Sequence, residues 1–219
     1  MKLMKSQMIR CGAFLCFGLL SMALWAQQPD AKEIMNRTAT CFKEAGGVRV
    51  DFAVKTYSKK VLQGNSTGSI LLKGDKFQLD AEGIKTWFDG KTQWTYIPES
   101  GEVNVSEPTP EELQTINPYA FLGLYNHGFS LKKGDSSSYN GRPAYEVVLT
   151  AKNRKQDLRC IILYVSKDTF QPLCVSLTER GGESMAIRIT SYKDKQSYSD
   201  DLFAFQKKDY PKVELIDLR

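Results

Sequence analysis

The 219-residue chain has a single histidine, His127, and only five cysteines. A serine or cysteine nucleophile served by an imidazole base would have to recruit that one histidine, in "YNHGF", which reads more simply as a loop or helix-end residue. One histidine and scattered cysteines provide no zinc-ligand spacing. No glycine loop of phosphate-cradling pattern is present. "GNSTG", Gly64 to Gly68, has the outline of a nucleophile elbow, but that elbow needs a helix after it. "SILL" follows instead, so the stretch reads as a hairpin turn. No enzymatic activity, metal or cofactor is expected. Charge of one sign is also scarce. The formal +5 includes Lys2, Lys5 and Arg10 of the leader described next, and the remainder, near +2, does not point to nucleic acid.

Long apolar runs are missing beyond the N-terminus. "MKLMKSQMIR" is basic, "CGAFLCFGLLSMAL" is uncharged and apolar, and "WAQQPD" turns polar, the order of a secretory signal peptide with cleavage after Ala26. About fourteen apolar residues are too few to span a bilayer. Cys16 sits inside the run rather than closing it, so no lipidation site is expected. Residues 27–219 are then expected to be one exported, soluble domain. Cys41, Cys160 and Cys174 remain in it. They read as small apolar residues, and whether Cys160 and Cys174 pair across their hairpin is open.

The positive signals are periodic. "PDAKEIMNRTATCFKEAGG" is one amphipathic helix, opened by Pro29–Asp30, closed by Gly46–Gly47, with Ile34, Met35, Thr38, Cys41 and Phe42 at helical spacing. The period then drops to two. In "VRVDFAVKTY", Val48, Val50, Phe52 and Val54 alternate with polar or small residues. Nine more strand signals follow, from "GSILLK" to "MAIRITSY", separated by Asp89–Gly90, Ser100–Gly101, Asn140–Gly141 and Gly181–Gly182. Such short connections require antiparallel pairing. Between the arrays lies "EPTPEELQTINPYAFLGLYNHGF", with a helical turn expected near Glu111–Thr115 and a short helix capped by Asn117. "DDLFAF" and a last strand near Val213 end the chain. Asp200–Asp201 reads as a cap, and "KTYSKK" and "SLKKG" as solvated basic edges.

The order of these pieces resembles the LolA family of periplasmic outer-membrane lipoprotein carriers. The resemblance rests on the first helix, on "VRVDFAVKTYSKKVLQGNSTGSILLKGDKFQL", on "WFDGKTQWTYIPESGEVNV", which is similar to the family's D-G-K-T-L-W-x-Y-x-P segment, and on "DDLFAF". It implies an α+β, mainly antiparallel fold, an incomplete half-open β-barrel with about three helices on its concave face. It implies a periplasmic carrier that shields lipoprotein acyl chains and shuttles them from an inner-membrane release complex to an outer-membrane acceptor, working as a monomer. A sensor of the same fold, or a carrier of another lipid, is the alternative. Phe52, Val54, Ile70, Leu72, Phe77, Leu79, Trp94 and Tyr96 are the expected acyl-chain lining, with core packing as the competing role for each. Phe121, Leu122, Leu124 and Tyr125 are the expected lid. One departure stands out. The family arginine that tethers the lid, just before the strand of its conserved aromatic, is absent from "LLKGDKFQL". Phe77 matches that aromatic, and Lys76 is the candidate substitute, lacking the planar fork.

Overall fold

A computed structural model describes residues 28–109, 112–113 and 128–219. One α-helix, α1 (Ala31–Glu44), precedes thirteen strands: β1 (Gly47–Ser58), β2 (Val61–Lys73), β3 (Lys76–Ala81), β4 (Ile84–Phe88), β5 (Gln93–Ile97), β6 (Glu102–Ser106), β7 (Phe129–Lys133), β8 (Ser138–Tyr139), β9 (Arg142–Ala151), β10 (Leu158–Ser166), β11 (Pro172–Glu179), β12 (Glu183–Gln196) and β13 (Glu214–Asp217). The Asp30 carboxylate caps α1 by accepting from Glu33 N at 2.7 Å. Ala31, Ile34, Met35 and Thr38 are its buried stripe, and the Thr38 hydroxyl is satisfied by Ile34 O at 2.9 Å.

The sheet runs β13-β6-β5-β4-β3-β2-β1-β12-β11-β10-β9-β7, with β8 beside β9. Its two ends do not pair, so the sheet is open. Two local meanders, β2 to β6 and β7 to β12, are stitched together by β1, which pairs β2 on one side and β12 on the other. Every pair is antiparallel except β13 on β6. The antiparallel expectation therefore holds up to the last strand, which returns along the edge after a long tail and so lies parallel.

Three local expectations change. Among the described residues there is one α-helix where about three were expected. The rest of the interrupting segment, including the lid residues Phe121, Leu122, Leu124 and Tyr125 and also His127, lies outside the described residues. What is described there is a capping box: Thr109 and Glu112 bond each other's backbone N–H, and Leu113 N donates to Thr109 O. Second, "GNSTG" is no turn. It lies inside β2, with Ser66 opposite Val54 and Gly68 opposite Phe52. The reversal comes earlier, at Lys59 and Lys60, both at positive φ (47° and 71°). Gly68 serves packing: a Cβ there would sit 2.6 Å from the Phe52 ring and 2.8 Å from Asp80 O. Third, "FSLKK" is strand β7 at one edge of the sheet, so its lysines do lie on a basic edge, but the strand also carries the apolar rungs Phe129 and Leu131.

Candidate functional site

Because directly opposed residues share a face, the register sorts every side chain. One rung joins Val48, Leu72, Phe77 and Phe88; the next joins Val50, Ile70, Leu79 and Thr86. On the other side of β1, Val54 faces Ile187, and Ile187, Val175, Leu163 and Val147 continue the row. A parallel row runs Met185, Leu177, Ile161, Leu149 and Leu131. This inner face is mainly apolar from β4 across to β7, interrupted by Thr86, Ser66 and Lys133. It turns polar at β5 and β6, where Gln93, Thr95, Asn104 and Ser106 occupy the equivalent positions.

Coverage of the inner face is uneven. Ile70, Leu72, Phe77, Leu149, Ile161 and Leu163 are wholly buried, with Ile34 and Met35 of α1 in the same core. Phe77 and Phe88 stack at 5.4 Å. Toward the far ends of β1 and β12 the filling stops. Val54, Leu79, Leu177, Ile187 and Ile189 are only half-buried, and Met185 is 37 % exposed. Leu113 packs against this core from the interrupting segment. Six of the eight expected lining residues, Phe52, Val54, Ile70, Leu72, Phe77 and Leu79, thus share the inner face. Four of those are core, and Val54 and Leu79 belong to its open part.

Trp94 and Tyr96 are on the other face. Trp94 pairs Trp87 and Val105, and Tyr96 pairs Lys85 and Val103, the set opposite in parity to Phe88 and Thr86. On that face Trp87 and Tyr96 meet the C-terminal tail. Trp87 packs edge-on against Phe205 (5.5 Å) and Tyr210 (5.6 Å), and Tyr96 stacks on Tyr210 at 5.0 Å. Burial pushes the Tyr210 phenol pKa up. Phe203 is wholly buried, edge-on to Tyr198. Trp87 and Tyr96 clamp the tail, and neither Trp94 nor Tyr96 lines the inner face. Alternation reveals that a strand has two faces, but not which one the helix covers.

The lysines flanking the missing arginine also face outward. Asp200 accepts from Lys73 (2.9 Å) and Lys76 (2.8 Å), and Lys73 also donates to Tyr198 O at 2.7 Å. Lys76 and Lys73 hold the Asp200 carboxyl at about 2. Asp200 is thus an ion-pair partner in a short 3-10 turn (Asp200–Phe203) rather than a cap, and Lys76 is engaged with the tail, on the face away from any inner-face lid.

Among the described residues, one surface depression of about 560 Å3 lies between the start of α1 and β7, and another of about 330 Å3 lies between Trp87, Lys85 and the tail. None of the eight expected lining residues borders either one. Among the described residues, no cluster of three or more His, Cys, Asp or Glu is placed to hold a metal. Cys41, Cys160 and Cys174 are free. Cys174 faces Tyr164 while Cys160 faces Thr178, an offset of four residues, or about 13 Å along the strands, far beyond disulfide reach.

The sequence pattern of the family described as "Outer membrane lipoprotein carrier protein LolA" matches residues 22–182. The chain belongs to the LolA family. No curated protein matches it. Among solved structures, an uncharacterized conserved protein from Thermus thermophilus is similar, with 12 % identity and a TM-score of 0.60 over 85 % of this chain and 98 % of that one. A LolA superfamily protein from Nitrosomonas europaea gives 13 % identity and a TM-score of 0.46, covering 81 % and 98 %. MucB from Pseudomonas aeruginosa, in its complex with MucA, gives 16 % identity and 0.42, covering 81 % and 62 %. The first of these likenesses supports the fold. Lys73 and Lys76, in the stretch where the resemblance implied a lid-tethering arginine, bind the tail instead.

Proposed function

We propose that this LolA-family chain is a periplasmic carrier of acylated cargo, and that the cargo's hydrocarbon lies on the half-open part of the inner face. The observation that carries this is the apolar wall at Val54, Leu79, Leu177, Ile187 and Ile189, continuous with the core yet only half-covered. A closed core has no use for such a surface, and monomeric soluble proteins keep contiguous apolar patches small. No helix among the described residues is long and apolar enough to cross a membrane. Lipoproteins are the preferred cargo on family grounds, received from an inner-membrane complex and passed to an outer-membrane acceptor by the chain as a monomer.

The energetics suit a shuttle. A sixteen-carbon chain fully withdrawn from water gains about 12 kcal/mol, a grip too firm for release. A wall touching one side of the chain gives roughly half of that, about 6 kcal/mol, which corresponds to tens of micromolar. A removable cover then regulates access. Phe121, Leu122, Leu124 and Tyr125, expected from the sequence as that cover, lie outside the described residues.

The test is organic extraction of the purified protein followed by mass spectrometry. Bound N-acylated peptide supports lipoprotein carriage, and free lipid redirects the function to another lipid. A protein that neither retains acylated material nor binds a sixteen-carbon acyl probe refutes carriage.

A further inference from the structure

We propose that the far end of the sheet docks on anionic lipid bilayers and brings the open part of the inner face to the membrane surface. This deepens the carrier reading, but it needs no cargo. Three connections meet at that end. Ser58 of β1 faces Glu183 of β12, and Leu158 of β10 faces Glu179 of β11. Lys59 N donates to Gly182 O at 3.0 Å, tying the β1–β2 turn to the β11–β12 turn. Arg180 donates to Gln156 O (2.8 Å) and Asn153 O (3.2 Å), tying that turn to the β9–β10 loop. The result is one continuous rim.

Its chemistry is that of an interfacial anchor. Lys59, Lys60, Arg154 and Lys155 are exposed, none takes part in an ion pair among the described residues, and with Arg180 they outnumber the exposed rim carboxylates Asp157, Glu179 and Glu183. Beside them Val61 is 63 % and Leu62 49 % exposed, on adjacent residues of a hairpin tip. Cations next to protruding aliphatic side chains fit a surface with phosphates outside and hydrocarbon below. Lysines also occupy two successive positive-φ positions, where glycine or asparagine would relieve the backbone. The opposite end of the sheet is different. There Lys73 and Lys76 are neutralised by Asp200, and Asp75, Asp89 and Asp168 lie in the turns. An acidic protein surface would meet the cations but leave Val61 and Leu62 in water. From the rim, Met185, Leu177, Ile187 and Val54 lead down the inner face, so a docked molecule presents its apolar wall where acyl chains emerge.

Co-sedimentation with phosphatidylglycerol-rich and pure phosphatidylcholine vesicles, using lipid-free protein, tests this. The protein is expected with the anionic vesicles, and binding falls with added salt. A lysine near an anionic leaflet is worth roughly fivefold in partitioning, so Lys59→Gln with Lys60→Gln lowers binding about 25-fold. Val61→Ser with Leu62→Ser lowers it about tenfold or more and does so at high salt too. Lys193→Gln with Lys195→Gln, at the other end, leaves it unchanged. Absence of wild-type binding, or equal losses in the two lysine pairs, overturns the proposal. Wild-type protein that binds the anionic vesicles but takes up no sixteen-carbon acyl probe would instead count against carriage and leave the docking proposal standing.

Discussion

Replacing Val54 by glutamate isolates the open wall from the core. Val54 lies opposite Ser66 and Ile187, half-buried on the inner face, and the rim provides a path to water for a longer side chain. A carboxylate there is therefore partly solvated, and the stability lost is about 1–2 kcal/mol, a fall in Tm of roughly 3–6 °C for a chain of this size. The effect on cargo is larger. A chain lying over Val54, Ile187 and Leu177 places about four methylenes against them, and at about 0.8 kcal/mol each their loss removes roughly 3 kcal/mol. The dissociation constant for a fluorescent sixteen-carbon fatty acid is then expected to rise by about two orders of magnitude, measured by titration at a temperature where both proteins are folded. Tyr96→Ala is the matched control. It removes the stack on Tyr210, lowers Tm and leaves acyl binding intact. If Val54→Glu binds as wild type while Tyr96→Ala loses the ligand, the hydrocarbon is held on the outer face and the assignment of faces is wrong.

The Asp200 carboxyl is held at about 2, below its ordinary 3.8, so the folded tail favours the ionised form. Its contribution is complete above about pH 4 and disappears as pH falls towards 2. Trp87 emission should report tail release over that window, and Asp200→Asn should flatten the step. Gly68→Ala drives a Cβ into the Phe52 ring and Asp80 O and is expected to cost about 1–3 kcal/mol in urea melts; adding Phe52→Leu recovers the ring's share only. Dithiothreitol leaves Tm unchanged, since Cys41, Cys160 and Cys174 are free; a reductant-dependent fall would contradict the strand register.

Strand existence was legible wherever apolar and polar residues alternated, because a half-covered sheet imposes that period on its sequence. Phe52, Ile70, Leu72 and Phe77 were readable as inward-facing for the same reason. The β1–β2 turn was not, since Lys59–Lys60 has none of the glycine or asparagine that usually marks positive φ, whereas "GNSTG" carries turn-forming residues inside a strand. Trp94 and Tyr96 share a face of β5, but which face is the inner one follows from the register with β4, and the partner that covers Tyr96, Tyr210, lies more than a hundred residues later. The same distance hid the partnership of Lys73 and Lys76 with Asp200: an ion pair between such separated residues leaves no local spacing to find.

The seam between β1 and β12 has a kinetic consequence. Gly47 must wait for Gln196, so the middle of the sheet cannot zip until nearly the whole polypeptide is present, although each meander can assemble from neighbours. Until then β1 offers a bare apolar edge to any passing strand, and aggregation competes with completion. Conditions that slow the arrival of the last third of the chain should therefore lower yield far more than they lower the stability of what does fold.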